Sequence, residues 1–533
     1  MRQSSFVAKP SSLWQVLQVF RSITWHRVVT TFLLAVMLWW AMPAAIASAR
    51  TATPTSGSIQ PYIDRVLDRI TEFTLDNGMR FIVMERHQAP VVSFMTYVDV
   101  GAAYEKEGRT GAAHFLEHLA FKGTTRIGTT DYEAEKALLE RLDVLFDQIQ
   151  AAKAAGQTDE AARFQEEFNT VRAEASRYVK QNEMGQIVEQ AGGVGLNATT
   201  SADATRYFYS FPANKLELWM SLESERFLEP VFREFYEEKD VILEERRMRT
   251  DNSPIGKMIE QFLEAGFPGH PYGRPIIGYE EDLRNMRRQD IQEFYQAYYT
   301  PTHIIAAVVG DVNPREVKRL AETYFGRYQA RSEAPEVEAI APVQTEPREV
   351  TLRLPTQPWY MEGYQRPSLR DPDHLVYQLI AAILTGGRTS RMYKSLVEEQ
   401  QLALSVQVSN GFPGDRYPTM MLIYALTAPG HTVEEVATAM NAEIQRLKTE
   451  PVSAEELDRI KTQARAGLLE TLASNQGMAS LLPEYEANTG DWRNLFEDLR
   501  KFEAITAEDV QRVAQSTFVP EKLTIGKLLP TEE

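Results

Sequence analysis

The sequence has no cysteine, which excludes both a disulfide framework and a thiolate-bound zinc site. It has no acidic residue before Asp64, although acids outnumber bases overall and the net charge is −17. That balance speaks against a nucleic-acid-binding protein, and no nucleic-acid partner is expected. Histidine is scarce, with 8 in 533 residues. The remainder has ordinary globular composition and is long enough for two to four domains with large cores.

The acid-free N-terminus has a pattern of its own. Arg2, Lys9, Arg21 and Arg27 precede an apolar run from Thr30 to Ala47, which ends in Ala44-Ala45-Ile46-Ala47-Ser48-Ala49. Basic region, apolar core and Ala-x-Ala pattern read as a secretory signal over 1–49; if retained, the same run is an anchor. Either way the rest of the chain is expected across a membrane from the cytoplasm, in the periplasm or an equivalent lumen. Membrane contact is expected only through this segment. Residues 50–72 read as a linker, polar and rich in Thr, Ser, Pro and Gly up to Gln60.

Two of the few histidines stand four apart in His114-Phe115-Leu116-Glu117-His118. On a helix they share one face, and two imidazoles so placed reach one zinc ion. Glu117 lies between them, where its carboxylate can take a proton from water. This is the inverted zinc-protease pattern His-x-x-Glu-His. The same spacing also occurs on helices that bind no metal, and a catalytic zinc needs a third protein ligand. Glu237, Glu238, Glu244 and Glu245 are acidic candidates on a later predicted helix. Glu238 and Glu245 stand seven apart, two turns along one face, although helical Glu usually faces solvent.

The remaining chain reads as α+β. Phe73–Met84 predicts a β-hairpin turning at Asp76-Asn77-Gly78, and Pro90–Val100 predicts a strand. Leu138, Leu142, Leu145 and Ile149, then Phe164, Phe168, Val171 and Ala175, predict an antiparallel helical hairpin within 131–182, capped by Thr158 or Asp159. It is either a solvated charged arm or an arm that docks a partner. Strands are predicted at 192–201, 205–211 and 302–309, with helices around 214–228, 232–249 and 314–325. Gln329–Pro347 is rich in Pro, Glu and Ala and reads as an interdomain linker. Beyond it the element order begins again, which predicts a duplicated domain, 73–328 and 348–533.

Four stretches carry a family resemblance: His114–Thr124, Asn197-Ala-Thr-Thr-Ser201, Glu238–Glu245, and His270-Pro-Tyr-Gly273 with Tyr298–His303 and Gly310-Asp311. The chain resembles zinc peptidases of the pitrilysin family (M16), in the branch that includes mitochondrial processing peptidase. The resemblance implies two homologous α/β-sandwich-like domains, each a largely antiparallel sheet with helices, forming a clam-shell, with the helical hairpin as an insertion. It implies one Zn2+ per chain held by His114, His118 and Glu245. Glu117 would be general base and Glu238 would orient a ligand. Substrate peptide would add as a strand at Asn197 and Ala198.

The chain departs from the family in one respect. Members that act alone carry an Arg and, seven residues later, a Tyr in the second half; those positions are Val397 and Leu404 here. Neither apolar side chain can stabilise an oxyanion. A zinc-bearing subunit that depends on a homologous partner for the Arg/Tyr pair is therefore expected. A non-catalytic structural subunit is the rival reading.

Overall fold

A computed structural model describes residues 60–329, 335, 337 and 344–531. The expected signal or anchor at 1–49 and most of the expected linker at 329–347 lie outside the described residues. Among the described residues no helix is long and apolar enough to cross a membrane.

The chain builds two sheets of the same design. In the first half the strands are β1 (Ile70–Thr74), β2 (Arg80–Glu85), β3 (Val91–Val98), β4 (Val194–Thr200), β5 (Thr205–Pro212) and β6 (Ile304–Gly310). Their order across the sheet is β1-β2-β6-β3-β5-β4. In the second half they are β7 (Arg348–Arg353), β8 (Trp359–Arg366), β9 (Ala403–Phe412), β10 (Thr419–Thr427) and β11 (Leu523–Leu529), in the order β7-β11-β8-β10-β9. Each sheet has one parallel pair, β2 with β6 and β7 with β11; every other pair is antiparallel. Without β1, the two orders superimpose strand for strand, as a duplicated domain requires.

The first hairpin turns as expected, with Phe73 opposite Phe81 and Gly78 at φ 91°. β6 is buried along its whole length, as the run Ile304–Val309 predicts. One boundary needs correction. The stretch read as linker over 50–72 contains a helix, Gln60–Leu67, and the first residues of β1. That helix is anchored by Ile63 and Val66, both buried. Ile63, Val66 and Leu67 have helical spacing, but about two turns are too short to stand out by periodicity.

Each half lends a helix to the other. Helix Pro254–Gly266 packs on the second sheet, where Met258 and Phe262 join a cluster with Met361, Met420 and Leu528. Gly363 allows that approach, since a Cβ there would lie 2.8 Å from the Phe262 ring. In return, helix Asn475–Thr489 lies against β3 and β6 of the first sheet. Glu486 in that helix pairs with Arg80 at 2.7 Å, and Glu484 with Arg206 at 3.3 Å.

The predicted helical hairpin is present as helices Tyr132–Ala154 and Thr158–Ala175. Its turn is not capped by Thr158 or Asp159: Gln157 takes the cap position with no side-chain bond. Nor is the hairpin a solvated arm. Leu139, Leu142, Leu145, Ile149 and Phe168 are buried in the first-half core. Its base is fixed by the ion pair of Glu135 with Arg233, both 0% exposed. Arg233 also donates to the carbonyls of Lys122, Thr124 and Ile127 at 2.6–3.0 Å. Arg233→Ala would strand a buried carboxylate and three carbonyls. The expected loss is about 3–5 kcal/mol of unfolding free energy, measured by urea denaturation.

Candidate metal centre

The helix Ala112–Leu119 buries Ala112, Ala113, Phe115, Leu116 and Leu119 and turns His114, Glu117 and His118 to its half-buried face. Its start cannot carry its own capping side chain. Gly111 sits at φ 88°, and a Cβ there would lie 2.6 Å from the Ile277 carbonyl oxygen. The buried Glu105 supplies the cap instead, accepting from the N–H groups of Gly111 and Ala113 at 2.8 and 2.9 Å. At the other end the chain leaves the helix through the loop that Arg233 gathers. Phe115 stacks on Phe235 with ring centroids 4.6 Å apart, which sets this helix against helix Phe235–Arg246.

That second helix brings up the distant acids. Glu245 Oε2 lies 3.8 Å from His114 Nε2 and 3.6 Å from His118 Nε2. The three donor atoms fall within 4.8 Å of one another, a group able to hold a metal ion. Ligands about 2.0 Å from a tetrahedral zinc are about 3.3 Å apart, so the two carboxylate-to-imidazole distances would shorten by about 0.3–0.5 Å around an ion. Two imidazole nitrogens and one carboxylate oxygen are also the donor set of a catalytic zinc site with one position open.

The protonation states suit the same chemistry. Burial, helped by the charges of His118 and Arg249, pushes His114 down to about 3, so its ring is neutral. Burial works against protonated His118. The hydrogen bond from Nδ1 to Glu238 Oε1, 2.9 Å, and the nearby carboxylates outweigh it and hold its pKa above the usual histidine value. Glu238 is itself buried. Its bonds to His118 and to Lys122 Nζ, at 2.5 Å, overcome that burial and keep its pKa below the usual carboxylate range. Burial raises Glu117, partly offset by a hydrogen bond donated by Thr200 Oγ1 at 2.5 Å.

Asn197 and Ala198 stand on β4, the edge strand of the first sheet, with Asn197 exposed and Ala198 buried. Asn197 Oδ1 accepts from the Ala198 N–H at 2.9 Å. A cleft of about 300 Å³ opens beside Glu117, lined by His118, Phe121, Lys122, residues 180–182, Glu234 and Glu238. All of these belong to the first half. Val397 and Leu404 lie elsewhere. Val397 packs against the second-half core from the π-helical turn Tyr393–Glu399, and Leu404 is 50% exposed on β9.

Sequence reasoning passed over Thr200, Lys122 and Glu105. Thr200 lies inside the Asn197–Ser201 stretch, and Lys122 in the stretch that closes the His114 helix. Their partners come from other elements, and a lone Thr or Lys carries no periodic signal.

Residues 80–141 and 169–280 match the family model described as insulinase (peptidase family M16), and residues 285–464 match the one described as the peptidase M16 inactive domain. The chain belongs to the M16 family of peptidases. It is similar to the zinc protease PqqE of Helicobacter pylori, 27% identical over 467 residues that cover 86% of this chain and 92% of that protein. It is also similar to a probable mitochondrial-processing peptidase subunit beta of Schizosaccharomyces pombe, 24% identical over 485 residues that cover 88% and 93%. The crystal structure of a protease from Helicobacter pylori superimposes with a TM-score of 0.74 at 26% identity, covering 86% of this chain and 99% of that one. The family match leaves out 142–168, the outer part of the helical hairpin. The part foreign to the family is thus the hairpin's tip, while its base lies within the match.

Lys122 holds the outer end of the Glu238–His118 pair. Lys122→Met should cost about 1–2 kcal/mol of stability in metal-free protein, read from the denaturation midpoint.

Proposed function

We propose that this protein is a zinc-dependent endopeptidase that hydrolyses peptides or unfolded segments and works with a homologous second subunit. The observation that carries the reading is Glu117, held by Thr200 on the same helix face as His114 and His118. In this reading His114, His118 and Glu245 hold one zinc ion. Zinc bound there supplies Lewis acidity, which acidifies water and polarises a carbonyl. Glu117 accepts the proton of the attacking water and delivers it to the leaving amine. Its raised pKa suits both steps, since a base that must later act as an acid works best near the operating pH. Glu238 orients His118 by accepting from Nδ1, which leaves Nε2 free to ligate. The β4 edge receives substrate as an added strand at Asn197 and Ala198.

The partner is inferred from what the second half does not bring. The cleft beside Glu117 is walled by first-half residues, and the positions expected to supply Arg and Tyr are Val397 and Leu404. Residues 73–328 then carry the metal chemistry, and 348–533 form the homologous domain without metal. The N-terminal pattern of basic residues, apolar run and Ala-x-Ala supports a working protein outside the cytoplasm, in the periplasm or an equivalent lumen. A non-catalytic subunit is the reading that Val397 and Leu404 would favour if the metal set were idle.

One experiment separates these readings. The purified protein and its Glu117→Gln variant are assayed for zinc content and for cleavage of a pool of unstructured peptides, with and without a co-purifying M16 chain. Expected are one zinc per chain in both proteins, turnover only with the second chain, and a loss of about 10²- to 10⁴-fold in the variant. Full turnover by the chain alone would remove the partner from the proposal. Absence of zinc would leave the non-catalytic reading.

A further inference from the structure

Three arginines follow Glu245, and the structure gives each a different carboxylate. Arg246 is buried and committed to Glu260, at 2.8 and 3.0 Å, and to the Gly278 carbonyl at 2.7 Å. Arg247 pairs with its neighbour Glu244 at 2.5 Å, both half exposed. Arg249 reaches back to Glu245 itself, with Nη1 2.9 Å from Oε1.

This contact divides the Glu245 carboxylate. Oε2 faces the two histidine Nε2 atoms, and Oε1 is bound to the guanidinium. The backbone helps, because residues 247–251 form a π-helical turn directly after helix Phe235–Arg246. Such widened turns recur at functional sites, where they re-aim a side chain.

We propose that Arg249 is a positioning residue for the third metal ligand. By occupying Oε1 it holds Glu245 as a single-oxygen donor. A carboxylate free to turn would point Oε2 away from the two histidine nitrogens for part of the time and so hold a metal less tightly. Glu238 holds His118 from outside in the same manner. The inference rests on the zinc reading above.

Arg249 is 66% exposed, whereas Glu245 is 15% exposed. An exposed pair of this kind contributes little to folding. Its loss should therefore show in metal binding and leave stability almost untouched, which a purely structural role would not do. The test compares wild type, Arg249→Gln and Arg249→Lys in the intact protein. Zinc affinity is measured by competition with a chromophoric chelator, and unfolding is measured without metal. Arg249→Gln should bind zinc about tenfold more weakly. Arg249→Lys should fall between, since an ammonium keeps the charge without the planar fork. The difference should shrink as salt rises, because the contact is exposed. The metal-free unfolding midpoint should not move. Peptide turnover, assayed with the second M16 chain present, should be lost in the Gln variant at limiting zinc and return at saturating zinc.

Wild-type zinc affinity in Arg249→Gln would overturn the inference and leave the metal site standing. A turnover deficit that survives saturating zinc would also overturn it, because Arg249 would then act on substrate. Failure of the wild type to bind zinc would overturn the metal reading itself.

Discussion

Arg233 is the point on which the rest of the first half depends. One guanidinium, fully buried, closes the loop that leaves the His114 helix, pairs with Glu135 at the base of the helical hairpin, and stands two residues before the helix that carries Glu238 and Glu245. A buried cation is tolerated only when its donors are satisfied, and Arg233 meets that condition with one carboxylate and three carbonyls. Metal-ligand geometry between two helices is sensitive to small shifts, and this contact fixes the exit of one against the entry of the other.

The same logic extends outward. Phe115 on Phe235 packs the helices that carry the His114–His118 pair and Glu245 face to face, and Glu105 pins the start of the first. Around them, each half of the duplicated fold covers its sheet with a helix borrowed from the other. Met258 and Phe262 enter the second sheet past Gly363, while Glu484 and Glu486 reach Arg206 and Arg80 on the first. The halves are therefore held against each other by burial and by ion pairs. The cleft beside Glu117 nevertheless draws its walls from the first half alone.

Much of this was legible before any coordinates. The spacing of His114, Glu117 and His118 is a local property of a helix, and the apolar residues between them say which face is buried. The alternation around Asp76-Asn77-Gly78 and the unbroken run of β6 were equally local. The helical hairpin was visible in its periodicity, but its packing was not. Its charged composition suggests a solvated arm, whereas Leu139, Leu142 and Ile149 sit in the core. The short helix Gln60–Leu67 is hard to see in the sequence because it offers only about two turns of periodicity.

The sequence by itself determined the residue types, their helical spacing and the repetition of element order. Those follow from backbone periodicity, which acts over a few residues. Tertiary structure alone decided which distant groups meet: Glu245 with the two histidines, Thr200 with Glu117, Lys122 with Glu238, Arg249 with the far oxygen of Glu245. Thr, Lys, Arg and Glu are common on helix and strand surfaces, so their type carries little information. Their chemistry appears only when sheet order and helix packing leave one partner within reach.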